Sequence, residues 1–206
     1  MSGSPSPELS VAGDDRTLAR WVADHPGALV AFRPSPASDV ARAVGLGPAS
    51  NGSTPVTLDA MRLGDGDLAV NMVVLGTPPD RLTRLTRRLM LRLEVDGTEV
   101  ATTRATTVVI ATGQYLRGLD VVPRGQPGDG RLETYVYRLR PRERRAMRAR
   151  LPHGTHVPHP RITARPGRHI EVVADAPVAC EVDGEARPPV RGLSVEVVAS
   201  AYRLLV

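Results

Sequence analysis

Residues 180–188 read CEVDGEARP, and an Asp-Gly pair stands between two strand-like runs at 183 and 184. A short Asp-Gly linking alternating segments is a strong local signal for a β-hairpin, because such turns need positive φ at their centre. The chain holds its own control: LEVDGTEV, residues 93–100, carries the same Val-Asp-Gly in an equally strand-like setting. Two readings of Asp183 and Glu185 stay open at this level, turn residues or a carboxylate pair placed for chemistry. Two positions apart on a strand, both would face the same side.

Outward from this hairpin the texture is the same over most of the chain. VTLDAMRL, DLAVNMVVLG, LMLRLEVDG, TEVATTRATTVVIATG, GLDVVPRG, RLETYVYRL, RITARPG, HIEVVADAP, VACEVDGEA and LSVEVVASAYRLL are short, alternating and rich in Val and Thr. Gly, Pro and Asp interrupt them every roughly 8–15 residues, the pattern of a β-sandwich or open barrel. Two segments read differently. PDRLTRLTRRLML has a helical start, and RPRERRAMRARL reads as a helix. The latter lies in a stretch with arginines at 138, 140, 142, 144, 145, 148 and 150. It reads as a solvated helix or as an electrostatic foot for anionic lipid.

Before GPASNGSTP the order changes. RTLARWVADH predicts a short helix, GALVAF a buried strand, and SDVARAVGL a second helix capped by Ser38 and ended at Gly45. Alternating strands and helices mark a parallel α/β unit. The fold class expected is therefore α+β and mainly β: a disordered tail over 1–7, an α/β remnant over 8–50, and a large antiparallel β-sandwich over 51–206, whose last strand returns to the N-terminal part.

Composition adds limits. All 27 basic residues are Arg, the formal net charge is +5, and Cys180 is the sole cysteine. No internal disulfide and no cysteine-based zinc site is available. The basic balance suits an anionic partner, but nothing resembles a nucleic-acid reading motif. The spacing in HGTHVPH, with His153, His156 and His159 among prolines, does not suit a metal-binding helix face. With no apolar span and no signal peptide, the expected location is cytoplasmic, with peripheral membrane contact.

Several stretches taken in order resemble the bacterial diacylglycerol kinase family of lipid kinases, related to the sphingosine kinase and NAD kinase folds. They are VAGDDRTLARWV, FRPSPASDVARAVGL, VTLDAMRLGDGDLAVNMVVLG, VVIATGQYLRGLDVVP, VVPRGQPGDGRLETYVY and CEVDGEARPP followed by LSVEVVASAYRLLV. The resemblance implies an α/β nucleotide-binding part before a lipid-binding β-sandwich, with ATP-dependent phosphorylation of a lipid hydroxyl in the cleft between them. It implies Asp183 as general base facing an acyl groove and Glu185 as its helper. It implies nucleotide contacts at Gly13, Asp15, Thr17 and Asp39. It further implies a structural Mg²⁺ held by Asp129 and the carbonyls of Gln126 and Arg131, with ATP and Mg²⁺ as cofactors.

The departures from the family pattern concentrate on the phosphate side. Asp14 and Arg16 stand where the family has glycines in its GGDGT element, and Ser35, Pro36 and Ser38 replace Gly, Thr and Asn of a second element. Glycines there let backbone N–H groups approach phosphate, whereas a carboxylate repels it. Thr112 replaces a further Asn, and the family's earlier α/β repeats are not seen. The reading that follows is a degenerate lipid-binding pseudokinase with lipid or a membrane surface as partner. Two alternatives stand beside it: a working lipid kinase completed by a homodimer mate or a partner chain with the nucleotide domain, and a β-sandwich interaction protein unrelated to lipid.

Overall fold

The computed structural model describes residues 9–47 and 53–206. The tail over 1–7 and the junction near residue 50 lie outside the described residues. The chain opens with β1 (Leu9–Gly13), α1 (Asp15–Asp24), β2 (Leu29–Pro34) and α2 (Asp39–Ala43). β1 and β2 pair in parallel, as a strand–helix–strand crossover requires. Ser38 caps α2 by accepting from the Ala41 N–H, and Gly45 follows with φ +74°.

The remaining strands are β3 (Pro55–Leu63), β4 (Leu68–Ala69), β5 (Met72–Gly76), β6 (Leu89–Val95), β7 (Thr98–Ala105), β8 (Thr107–Ala111), β9 (Tyr115–Leu116), β10 (Leu119–Asp120), β11 (Leu132–Tyr137), β12 (Ile162–Gly167), β13 (His169–Val182) and β14 (Glu185–Leu205). Twelve strands join in one mixed sheet, with β9 and β10 as a separate hairpin. The mainly β, α+β class expected from the sequence is what the chain adopts.

Two long strands hold the architecture together. β13 pairs with β6 through residues 170–174 and with β5 through residues 180–182, and between the two stretches its register against β14 shifts. Bulges bend a strand and increase its twist, so one strand serves two blocks of sheet. HIEVVADAP and VACEVDGEA, expected as separate strands, are this single bent one. β14 pairs with β13 and β3, and its end joins β2 in parallel through Arg203 and Leu204. Its own irregularity falls at Ser200, a non-glycine at φ +54°.

Period-two alternation sorts the core. Val73, Leu75, Val108, Ile110, Leu132 and Val136 pack inward with residues of β6 and β13. Their neighbours Met72, Val74, Val109, Ala111, Tyr135 and Tyr137 pack on the other face, under Leu139, Met147 and Leu151. Strands buried on both faces read as continuous apolar runs, which is why VVI and MVVLG lack polar alternation. A third cluster joins α1, α2 and β2 to Leu58, Tyr202 and Leu204.

Three expectations are corrected. PDRLTRLTRRLML forms only a 3-10 turn at Pro79–Arg81 before β6 begins. RPRERRAMRARL keeps only five helical residues, α3 (Arg144–Arg148). Nor is that helix wholly solvated: Arg144 is 2% exposed, and its Nη1 donates to the carbonyls of Thr83, Thr86 and, at 3.3 Å, Arg84. Buried donors that find several carbonyls stay inside. Among the described residues, no helix is long and apolar enough to cross a membrane.

Candidate functional site

Asp183 occupies the first central position of the β13–β14 turn, with φ +48°, followed by Gly184 at +82°. The turn aims its carboxylate back at the junction of β4 and β5. There the chain breaks its ladder at Val70 and Asn71 to donate to that carboxylate. The Val70 N–H reaches Oδ2 at 2.9 Å, while the Asn71 and Met72 N–H groups reach Oδ1 at 3.0 Å each. The Asp183 N–H closes the contact on the Met72 carbonyl at 2.8 Å. Asp183 is only 8% exposed. Burial first, and the charge of Asp15 second, push its carboxyl up to about 7, against the pull of the three N–H bonds.

The second wall is the β1–α1 turn. Gly13, at φ +149°, could not be replaced, because a Cβ would lie 2.8 Å from the Thr17 side chain. Asp14 has ordinary extended backbone and caps α1: its Oδ1 accepts from the Thr17 N–H at 2.9 Å and the Thr17 hydroxyl at 2.8 Å. That backbone bond, the largest influence, holds the Asp14 carboxyl below its usual range. Residue 14 therefore needs no glycine for its backbone, and a helix N-terminus filled by its own carboxylate stands where the family has a glycine turn. Thr17 spends its hydroxyl on the same cap.

Asp15 is also committed. Its carboxylate accepts from the Ser38 hydroxyl at 2.6 Å and from the Asp39 and Val40 N–H groups, which ties α1 to the start of α2. Burial pushes its carboxyl up to about 6. Asp39 in turn accepts from the Arg117 N–H at 2.5 Å and the Gly118 N–H at 2.7 Å, in the β9–β10 turn. Burial raises its carboxyl as well.

Charge pairs line the rim. Arg16 donates to Glu185 at 3.1 Å, to the Leu68 carbonyl at 2.6 Å and to Asp67 at 2.5 Å. Arg20 meets the same Glu185 oxygen at 2.7 Å. Arg187 shares Asp67 and also reaches Asp65. Across the opening, Arg117 binds both oxygens of Asp80, at 3.0 and 2.8 Å, and Glu181 at 2.5 Å.

Between these walls is a cavity of about 470 Å³. The fold thus gathers Asp15, Thr17, Asp39, Asp183 and Glu185 around one opening, with Arg20, Asn71, Arg81 and Arg117. Gly13 supports the turn from behind. Sequence reasoning missed Arg117, Asp80 and Arg81. Only the Arg-Gly pair at 117–118, another positive-φ turn, could have pointed to the first. Most of this lining is charged or polar, with Ala37 and Leu116 as its apolar members, which is not the apolar acyl groove expected beside Asp183. An apolar cavity of about 650 Å³ lies elsewhere, lined by Tyr135, Val157, Pro158 and Ile162.

Gln126, Asp129 and Arg131 fall outside this cavity. The Gln126 carbonyl accepts from the Gly128 and Asp129 N–H groups, and Asp129 Oδ1 accepts from the Arg131 N–H at 3.0 Å. The loop is pinned by buried Asp59, which accepts from Gly130 and Ser200. The Gln126 carbonyl and one Asp129 oxygen thus serve the turn itself, where Mg²⁺ would ask for a near-octahedral set of oxygen ligands. Among the described residues no group of three or more His, Cys, Asp or Glu is placed to hold a metal ion. His156 is buried against Tyr137 and the Val121 carbonyl, and burial lowers its pKa to about 4.

Comparison with known proteins agrees with this architecture. Crystal structures of putative diacylglycerol kinases from Bacillus anthracis match with TM-scores of 0.81 and 0.78. Both matches cover 96% of this chain and 78% of the other, at 15% and 14% identity. An Archaeoglobus fulgidus NAD kinase in complex with ATP matches with a TM-score of 0.55, at 15% identity over 97% of this chain and 78% of that one. At such identities the likeness is one of fold. No curated protein matches the sequence. The family described as the YegS C-terminal NAD kinase β-sandwich-like domain matches residues 79–206, well over half of the chain. The protein belongs to that family, with the diacylglycerol kinase-like fold its sequence resembles.

Proposed function

We propose that this protein is a lipid-kinase-like binding module in which the grip on nucleotide phosphates has been taken over by internal bonds. The ancestral reaction is ATP-dependent phosphorylation of a lipid hydroxyl, here weak or absent. One observation carries the reading: the Asp14 carboxylate caps the N-terminus of α1 and takes the Thr17 hydroxyl with it. A helix N-terminus binds anions through free N–H groups and a positive dipole end. A carboxylate seated there competes with phosphate and repels it. Asp15 and Asp39 act alike, spent on joining loops.

Phosphoryl transfer depends chiefly on positioning and neutralising phosphate oxygens. A retained general base adds only about 10²–10⁴-fold. Losing the phosphate seat therefore outweighs keeping Asp183. ATP and Mg²⁺, if they engage this chain, do so without a preformed cradle at residues 13–17.

Titration calorimetry with MgATP tests this. The expected result is no measurable binding up to millimolar ATP, and a micromolar Kd overturns the reading. Asp14→Gly sharpens the test. Gly is tolerated at a helix N-cap at a cost of a few tenths of a kcal/mol, so the fold should survive while ATP affinity rises. A second reading, slow catalysis, is favoured by Asp183, which lines the cavity with a carboxyl near 7, where a general base works best. Radiolabel transfer from ATP to a diacylglycerol, rising from pH 6 to 8, would decide for it.

A further inference from the structure

The 3-10 turn at Pro79–Arg81 leads from the cavity mouth, where Arg81 is part of the lining, into a short loop. Leu82 is buried and anchors that loop. Thr83 and Thr86 then close a turn on each other: the Thr83 N–H donates to the Thr86 hydroxyl at 2.9 Å, and the Thr86 N–H to the Thr83 carbonyl at 3.3 Å. Arg84 and Leu85 are its two central residues. Buried Arg144 holds the carbonyls of Thr83, Arg84 and Thr86 from beneath. The outcome is a tethered turn whose Leu85 is 91% exposed.

The surroundings are strongly basic. Arg84, Arg87 and Arg88 on the loop are exposed, and no acidic residue occurs from 81 to 93. Arg88 donates to the carbonyls of Arg138 and Leu139, which brings this loop against the second arginine-rich segment. Exposed Arg140, Arg142 and Arg145 belong to that segment. Its single acid, Glu143, is paired with Arg161.

A lone exposed leucine is ordinary on a mobile surface. This one is different, because its turn is held by a buried guanidinium and ringed by cations. We infer that the Thr83–Thr86 turn is a docking tip for an anionic lipid bilayer, with Leu85 entering the acyl boundary and the flanking arginines pairing with headgroups. Arg144, rather than being part of the charged foot, is the clamp that presents the tip.

Other partners fit less well. A stable protein interface needs roughly 800 Å² per partner, far more than one leucine supplies. Single-stranded nucleic acid is gripped by aromatic stacking, and neither arginine-rich segment contains Phe, Trp or Tyr. A bilayer needs only a small apolar insertion plus several cations near the surface. This inference concerns a surface and does not depend on whether phosphate is ever transferred.

Vesicle flotation without nucleotide tests it, comparing neutral phosphatidylcholine with vesicles containing 30% phosphatidylserine, about a third of the lipid. The expected result is at least tenfold stronger partition into the anionic vesicles at low salt, lost near 0.5 M salt. Leu85→Ser should weaken partition roughly tenfold. Arg84→Ser with Arg87→Ser should weaken it ~25-fold, about fivefold per arginine. All three residues are exposed, so unchanged thermal unfolding is expected, and Arg165→Ser on β12 serves as the neutral control. No anionic-vesicle binding, or binding untouched by these variants, overturns the proposal. Salt-sensitive capture of oligothymidine that ignores Leu85→Ser, with no flotation, overturns it in favour of nucleic acid.

Discussion

The two Val-Asp-Gly turns are built alike and used differently. Asp96 and Asp183 adopt φ +50° and +48°, and their glycines +74° and +82°. Each aspartate also turns its carboxylate onto the backbone of a neighbouring segment. Asp96 Oδ1 accepts from the Arg168 and His169 N–H groups, at 2.8 Å each, which stitches β12 to β13. Asp183 does the same for β4 and β5 with three N–H groups. The difference lies around them. Asp96 is exposed, with its carboxyl held low by those N–H bonds. Asp183 is buried beside Asp15 and held high. The turn is common hardware, and the neighbours decide whether its acid is a staple at the surface or part of a cavity.

Removing the acids should give the largest separation between the two. Asp183→Ala leaves three buried N–H groups without their acceptor. At roughly 1–3 kcal/mol per unsatisfied buried donor, a loss of about 3–9 kcal/mol is expected in urea unfolding. For this reason Asp183→Asn is not a clean catalytic knockout: its amide oxygen can still accept from Asn71 and Met72, but its NH₂ then faces the Val70 N–H, a donor against a donor. A loss below about 1 kcal/mol would show that the segment at 70–72 holds itself.

Acid titration should split the pair by sign. Asp183 has its pKa raised from 3.8 to about 7, so its stabilising contribution is full below pH 4 and fades as pH rises to about 7. Asp15, raised to about 6, follows the same course over a narrower window. Asp96, lowered instead, contributes fully above the ordinary carboxylate range and loses that contribution as pH falls through its folded value. Asp183 alone is worth up to ~4 kcal/mol between pH 4 and 7, at about 1.4 per pKa unit. Unfolding midpoints across this range should flatten in Asp183→Asn and keep their slope in Asp96→Asn. Equal slopes would mean that the three N–H bonds outweigh burial at Asp183.

How far the sequence reached follows from the range of each interaction. Both hairpins were legible, because Asp-Gly between alternating runs is a local signal. So were the caps at Ser38 and Gly45. The continuity of β13 was not: Pro177 and the register shifts near it look like a break, and it is the distant β14, paired with both halves, that holds the strand as one. The burial of Arg144 was hidden for a different reason. Its acceptors are backbone carbonyls some sixty residues away, and a carbonyl leaves no mark on composition. At residue 14 the sequence located the departure but not its form. A lost glycine reads as lost φ freedom, whereas the chain put the new carboxylate on the helix end. Arg117 reaches the site only because the fold brings Asp39, Asp80 and Glu181 to it from three distant parts of the chain, which no spacing rule encodes.

A smaller effect is expected at the surface turn. Asp96→Ala removes two acceptor contacts that water can replace, so about 1 kcal/mol should be lost. A loss matching that of Asp183→Ala would break the contrast between the two turns.

The smallest contrast should be none at all. Gly97 and Gly184 both sit at positive φ, and a Cβ added to either would meet nothing within 4 Å. Alanine there pays only for its backbone conformation, on the order of 1 kcal/mol, with no packing cost to separate the sites. Gly97→Ala and Gly184→Ala should therefore destabilise equally, within a few tenths of a kcal/mol, although one turn edges a cavity and the other does not. Parallel urea titrations of the two variants check this. A markedly larger loss at Gly184 would mean that the second turn carries strain of its own. The distinction between the turns would then reside in the backbone rather than in the surroundings of Asp183.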